Sequence, residues 1–218
     1  MIEQVLSVNV GGVRTIPNGT RTTRTGIFKE PADGRVPLGR EGFTGDRQAD
    51  RRVHGGPEMA AYLYSADDYR WWEDELGRPL PPGTFGENLT VTGLRDGEVH
   101  IGDRFRLGTA LVEVTAPREP CFKLGLRMED PRFVVRFRKA GRTGFYVRVL
   151  EEGDVGAGDP IERVERDAQG FTVLDAHRTM TGDRGDAAAL RRAAGVVRLK
   201  SDWREHFARL AAGLSPDG

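Results

Sequence analysis

Apolar and polar positions alternate early in the chain. Leu6, Val8 and Val10 are separated by polar neighbours, which predicts a first strand ended by Gly11-Gly12. Residues 14 to 52 then lose all periodicity and fill with Gly, Pro, Thr and charge. A stretch that long in a compact domain is functional or holds short strands. Ser65 is an N-cap for a helix through Trp72 to Leu76, closed at Gly77. P-L-P-P-G-T-F-G from Pro79 is a stiff connector. Period-two runs predict strands at 89–92, 104–107, 110–115, 145–150 and 160–165, with Ala110, Val112 and Val114 on one face. Between them, Asp130-Pro131 opens a second helix with Phe133, Val134 and Phe137 inward and a stop near Gly141. After residue 168 the pattern turns helical. Thr172 caps V-L-D-A-H-R-T-M, and A-A-A-L-R-R-A-A and S-D-W-R-E-H-F-A-R-L-A-A end at Gly195 and Gly213. These helices are too short to stand alone and must pack on something. The expectation is a mainly β fold, a barrel or two packed sheets carrying a few helices, over 1–167, and a three-helix module over 168–218.

Composition narrows the function. Of 218 residues, 33 are basic and 33 acidic, so the net charge is zero. That disfavours nucleic acid, whose binders carry surplus positive charge, and anionic membrane surfaces. No apolar run approaches the ~18 residues of a membrane span, and the N-terminus does not read as a secretory signal. The expected compartment is the cytoplasm. Among the basic residues only Lys29, Lys123, Lys139 and Lys200 are lysines. The arginine excess is a mark of coding bias that still leaves some guanidinium forks to grip an oxyanion.

Cys121 is the one cysteine, set in P-R-E-P-C-F-K-L-G-L-R (117–127). Four readings compete: an inert core thiol, a nucleophile with His54 as base, a zinc ligand, and a single thiolate completing a metal whose other ligands belong to a cofactor. The basic neighbours Arg118 and Lys123 favour a thiolate. The lack of C-x-x-C or paired histidines weakens zinc. The prolines would hold the sulfur at a fixed place. With no second cysteine, the chain cannot hold an iron–sulfur cluster on cysteines, and it has no G-x-G-x-x-G fingerprint.

Four segments occur in order: G-D-R-Q-A-D-R-R-V-H-G-G-P-E-M-A-A-Y-L-Y (45–64), F-G-E-N-L-T-V-T-G-L (85–94), I-G-D-R-F-R-L-G (101–108) and P-R-E-P-C-F-K-L (117–124). Together they resemble the MOSC domain family, and with the helical tail its YiiM-like bacterial subgroup. The resemblance implies a β-barrel that binds molybdenum cofactor, a pyranopterin bearing molybdenum and a phosphate. Cys121 would be the protein's metal ligand, and His54, Gly55, Gly56, Glu87 and Asn88 would line the cofactor pocket. Arg47, Arg51, Arg118 and Lys123 flank these segments and suit a phosphate-bearing group, as Arg52 does. Thr25, Gly26 and Lys29 lie in a run that subgroup members resemble. Relatives of this kind reduce N-hydroxylated compounds such as hydroxylamino purines and so detoxify them, with His54 here a candidate proton donor. Electrons would come from a separate flavin or iron–sulfur protein, and the helical module either pairs two copies or docks that donor. Two rivals stay open: a carrier of cofactor or sulfur acting through Cys121, and a cofactor-free thiol enzyme using Cys121 and His54.

Overall fold

The computed structural model describes residues 3–49, 55–182 and 185–214. Its strands are β1 (Val5–Val10), β2 (Arg14–Asn18), β3 (Arg21–Thr25), β4 (Glu30–Pro31), β5 (Val36–Gly39), β6 (Gly42–Phe43), β7 (Ala61–Ser65), β8 (Leu89–Val91), β9 (Arg104–Leu107), β10 (Ala110–Pro117), β11 (Phe145–Glu151), β12 (Gly153–Val155) and β13 (Ile161–Glu165). Its helices are α1 (Ala66–Leu76), α2 (Phe122–Arg127), α3 (Phe133–Ala140), α4 (Val173–Thr181), α5 (Ala187–Ala194) and α6 (Ser201–Ala212).

Eight strands form one sheet in the order β13-β9-β10-β11-β7-β8-β1-β4. Only β7 and β8 run parallel. The expected mainly β barrel is met in part. The hydrogen-bonded ladder stays open between β13 and β4, and helix content (28%) nearly equals strand content (31%). The sheet curls far enough for its ends to touch. Val5 N donates to Asp159 O (2.9 Å), Gly158 N to Val5 O (2.8 Å) and Ile161 N to Glu3 O (2.9 Å). Three bonds make a seam, not a paired strand.

β7 explains why one sheet supports two cores. Its residues A-Y-L-Y-S are all buried, and alternation sends Ala61 and Leu63 to one side and Tyr62 and Tyr64 to the other. The first side is aliphatic and runs without a break from Val5, Leu89 and Val112 into Val173, Leu190, Leu199 and Phe207 of the C-terminal helices. The apolar core therefore continues across residue 168. The second side is aromatic: Tyr62, Tyr64, Tyr69, Trp72, Phe85, Phe133 and Phe137 pack with Ile27 and Leu124.

Local signals act as their chemistry requires. Ser65 Oγ accepts from Asp67 N to start α1, and Gly77 ends it at φ 65°. Thr172 and Asp175 cap α4 reciprocally. The expected first strand forms as β1, but its burial does not follow the alternation of Leu6, Val8 and Val10. A bulge between Val5 and Ser7 resets the phase, so Val5 and Val8 are buried and Leu6 is 41% exposed. The aperiodic stretch before residue 50 holds five short strands, β2 to β6. Among the described residues no helix is long and apolar enough to cross a membrane.

Candidate functional site

The aromatic side of the sheet ends in a cleft of about 610 Å³, part of it open to solvent. Its described walls come from separate parts of the chain, Gln48, Ala49 and Met59 among them. Thr25, Gly26, Ile27 and Lys29 follow β3; Gly86 and Asn88 precede β8; Tyr62 and Tyr146 stand on paired strands β7 and β11; Arg118, Cys121 and Lys123 run from the end of β10 into α2. Two glycines permit the walls to meet. A Cβ on Gly26 would sit 2.1 Å from Arg47 O, and Gly86 combines φ 80° with a 2.7 Å approach to Ile27 Cγ1.

Cys121 is half-buried in this cleft. It is the N-cap residue of α2, a helix the pattern of residues 117–127 does not announce because Gly125 and the flanking prolines read as loop. Arg118 is 5% exposed. Its guanidinium carbon lies 5.3 Å from the ring centres of both Tyr62 and Phe137, and its Nη1 is buried with no hydrogen-bond partner. Burial opposes its charge, yet the neighbouring oxygens of Tyr62 and Tyr146 and the Cys121 sulfur leave its pKa above the ordinary value. The cleft therefore holds a permanent cation with a bare donor.

On the facing wall, Lys29 Nζ bonds Asp46 Oδ2 at 2.5 Å, and both side chains are buried. Burial pulls the Lys29 pKa below its usual value, against the pull of Asp46. Asp46 also accepts from Gly11 N (3.0 Å) and from Asn88 Nδ2 (3.0 Å), while Asn88 Oδ1 accepts from Tyr62 N (3.1 Å). Asn88 is thus spanned between three backbone or side-chain partners and held rigidly.

Of the residues singled out from sequence, Cys121, Arg118, Lys123 and Asn88 are brought together, with Gly86 beside them. Glu87 lies apart from the described walls. It is fully buried, and its Oε1 accepts from the Tyr69 hydroxyl, from Gly83 N (2.7 Å) and from Thr90 Oγ1 (2.8 Å). Burial raises its pKa, so it braces the wall beneath Asn88. Arg47 is exposed and lines a neighbouring surface cleft with Gly45 and Glu152. Gly55 and Gly56 are not among the described walls; Gly56 adopts φ 93° to enter the turn Pro57–Met59. His54, Arg51 and Arg52 lie outside the described residues. Among the described residues no three His, Cys, Asp or Glu side chains gather as a metal cluster. The sequence reading missed Tyr62, Tyr146, Gln48 and Met59. Two tyrosines on separate strands, β7 and β11, are a weak signal for a wall; a lysine among 29 arginines is a better one for Lys29.

Comparison with known proteins follows the same lines. The MOSC domain family matches residues 50–162. The uncharacterized protein YflK of Bacillus subtilis is 42% identical over 212 residues, covering 97% of this chain and 96% of its own. A protein of Gibberella moniliformis named reductase is 38% identical over 181 residues, 81% of this chain; the match spans only 32% of that longer protein. The crystal structure of YiiM from Geobacillus stearothermophilus superposes with a TM-score of 0.82 at 33% identity, covering 96% of this chain and 99% of that one.

Proposed function

Because this chain belongs to the MOSC domain family, in its YiiM-like subgroup, we propose that it binds molybdenum cofactor in the Cys121 cleft and reduces N-hydroxylated compounds. Hydroxylamino purines are the substrate class, detoxification the purpose, the cytoplasm the place, and a separate redox protein the source of electrons. The observation that carries the reading is Arg118: a buried guanidinium with an unbonded Nη1, facing the same cleft as the lone thiol. A buried donor left bare costs stability. An anionic ligand that bonds it removes that cost, and a phosphate-bearing pterin with sulfur donors supplies both the anion and the softness a thiolate matches. The Gibberella relative's name, reductase, points the same way.

The cofactor, when bound, supplies the two-electron chemistry that cleaves an N–O bond. The balance is R–NHOH + 2e⁻ + 2H⁺ → R–NH₂ + H₂O. The chain's own groups hold and frame it. Cys121 Sγ is the protein's ligand. Arg118 and Lys123 hold negative charge beside it, and Tyr62 and Tyr146 form an aromatic wall that keeps water off a planar ring system. Asn88, fixed by Asp46 and the Tyr62 amide, presents a rigid amide. Lys29 holds a proton in the wall at a depressed pKa, where it exchanges more readily than a solvated lysine. His54 remains the second proposed proton donor.

The test is metal content and turnover together. Protein purified from a molybdenum-competent host should carry molybdenum near one per chain and, with dithionite-reduced viologen, convert 6-hydroxylaminopurine to adenine. Cys121→Ala should reduce turnover to background. Loaded protein inert toward hydroxylamino purines and simple hydroxylamines would instead identify a carrier, and absence of molybdenum would defeat both.

A further inference from the structure

A second cavity lies between α3 and α4. It encloses about 1190 Å³, open solvent included, and is lined by Arg95, Arg138, Lys139, Arg142, Arg178 and His177 among others. Five of these are permanent cations. Arg95, Arg138 and Arg142 are neutralised by Asp67, Glu119 and Asp68. Lys139 and Arg178 are exposed and make no ion pair among the described residues. The two acids that line the groove, Asp68 and Asp96, are buried, so its rim presents positive charge. The rim is also fixed: His177 Nε2 bonds Arg138 O at 2.8 Å, tying the end of α3 to α4.

The groove backs onto the Cys121 cleft. Arg138 on its wall pairs with Glu119, two residues from Cys121. The preceding residue, Phe137, lies under the guanidinium of Arg118. One layer of side chains therefore separates the two cavities, and the groove remains free while a substrate enters the cleft.

We infer that this groove docks an acidic redox protein, carrying a flavin or an iron–sulfur centre, that delivers electrons to the Cys121 cleft. The inference rests on the reductase reading. That reaction consumes two electrons per turnover, and the chain has neither the cysteines for a cluster nor a dinucleotide fingerprint. The donor gives up both electrons and is itself oxidised. A positive rim selects a negative partner and speeds its encounter.

The experiment uses the holoenzyme and an acidic flavodoxin as probe. Its Kd should weaken about tenfold or more from low to high salt, and Lys139→Glu with Arg178→Glu should weaken it at least as much at low salt. Turnover driven by reduced flavodoxin should fall with it, while turnover driven by reduced viologen stays at the wild-type rate. Equal flavodoxin binding by wild type and variant, or none by wild type, overturns the inference. So does a change of oligomeric state in the variant, which would mark the groove as a contact between copies, and so does loss of both activities together. Should the wild type be inert with viologen, the reductase reading fails, and the affinity measurement still decides the docking.

Discussion

Two buried clusters of charge handle the same side chains in opposite ways. Around Glu113, which is 3% exposed, three arginines converge on one carboxylate: Arg104 Nε at 3.0 Å, Arg148 Nε at 3.5 Å, and Arg198. Arg104 and Arg198 also reach Glu165, and Arg148 Nη2 donates to Glu58 (3.2 Å) and to Arg198 O (2.9 Å). Each guanidinium faces a carboxylate, although Arg148 Nε makes no hydrogen bond, and the cluster fastens the turn before α6 to β9, β10, β11 and β13. Around Arg118 the guanidinium rests on two rings, and one nitrogen is left with no bond. Burying a charge is costly in both places. What separates the two is pairing: the arginines around Glu113 face carboxylates, whereas Arg118 makes no ion pair among the described residues and lines an open cleft where an anion can reach it.

The contrast breaks if the two clusters respond alike to mutation. Glu113→Ala strands three partly exposed arginines and should cost about 2–4 kcal/mol, read as a lower urea midpoint at unchanged slope. Arg118→Met should do the reverse. Fold stability should hold or rise slightly, since no hydrogen bond of Nη1 is lost, while retained molybdenum affinity falls about 10–100-fold, as for loss of a charge-assisted bond. A large loss of stability in Arg118→Met would place it with the cohesive arginines around Glu113.

Asp96 sharpens the same point with a single charge. It is buried and accepts from Thr143 N (2.8 Å), Gly144 N (3.1 Å) and Thr143 Oγ1, yet burial lifts its pKa to about 7, helped by nearby Asp68. In the unfolded chain the carboxyl titrates near 3.9. Between about pH 4 and 7 the folded state binds the extra proton, so stability from this group is greatest below pH 4 and falls as pH rises to 7, by at most about 1.4 kcal/mol per unit. Asp96→Asn keeps acceptors for the two amides and should flatten that slope. Denaturation midpoints at pH 5 and pH 8 read it directly, and an unchanged slope would refute the assignment.

The helices other than α2 were legible because their ends are local chemistry: Ser65, Thr172 and Gly77 act within a few residues of where they stand. The site was legible where segments carry unusual residues, as at Cys121, Arg118, Lys123 and Asn88. What escaped depends on distant pairing. The bulge in β1 follows from its register against β8, and the five short strands before residue 50 have sheet partners but little period of their own. Glu87 reads as a ligand in sequence. Only the approach of Tyr69 and Gly83 shows one of its oxygens, Oε1, engaged by the scaffold, while Oε2 is buried without a hydrogen bond. The barrel expectation held only in part for a related reason, since closure is a property of the last edge and no strand pattern encodes it.

That last edge sets an order of assembly. The seam between residues 3–5 and 158–161 joins the first strand to the turn between β12 and β13, made far later. During synthesis the first strand must wait, its outer side unmet, until nearly the whole sheet has emerged. Whatever grips that strand in the interval, a chaperone or an appended tag, competes with the final stitch of the fold.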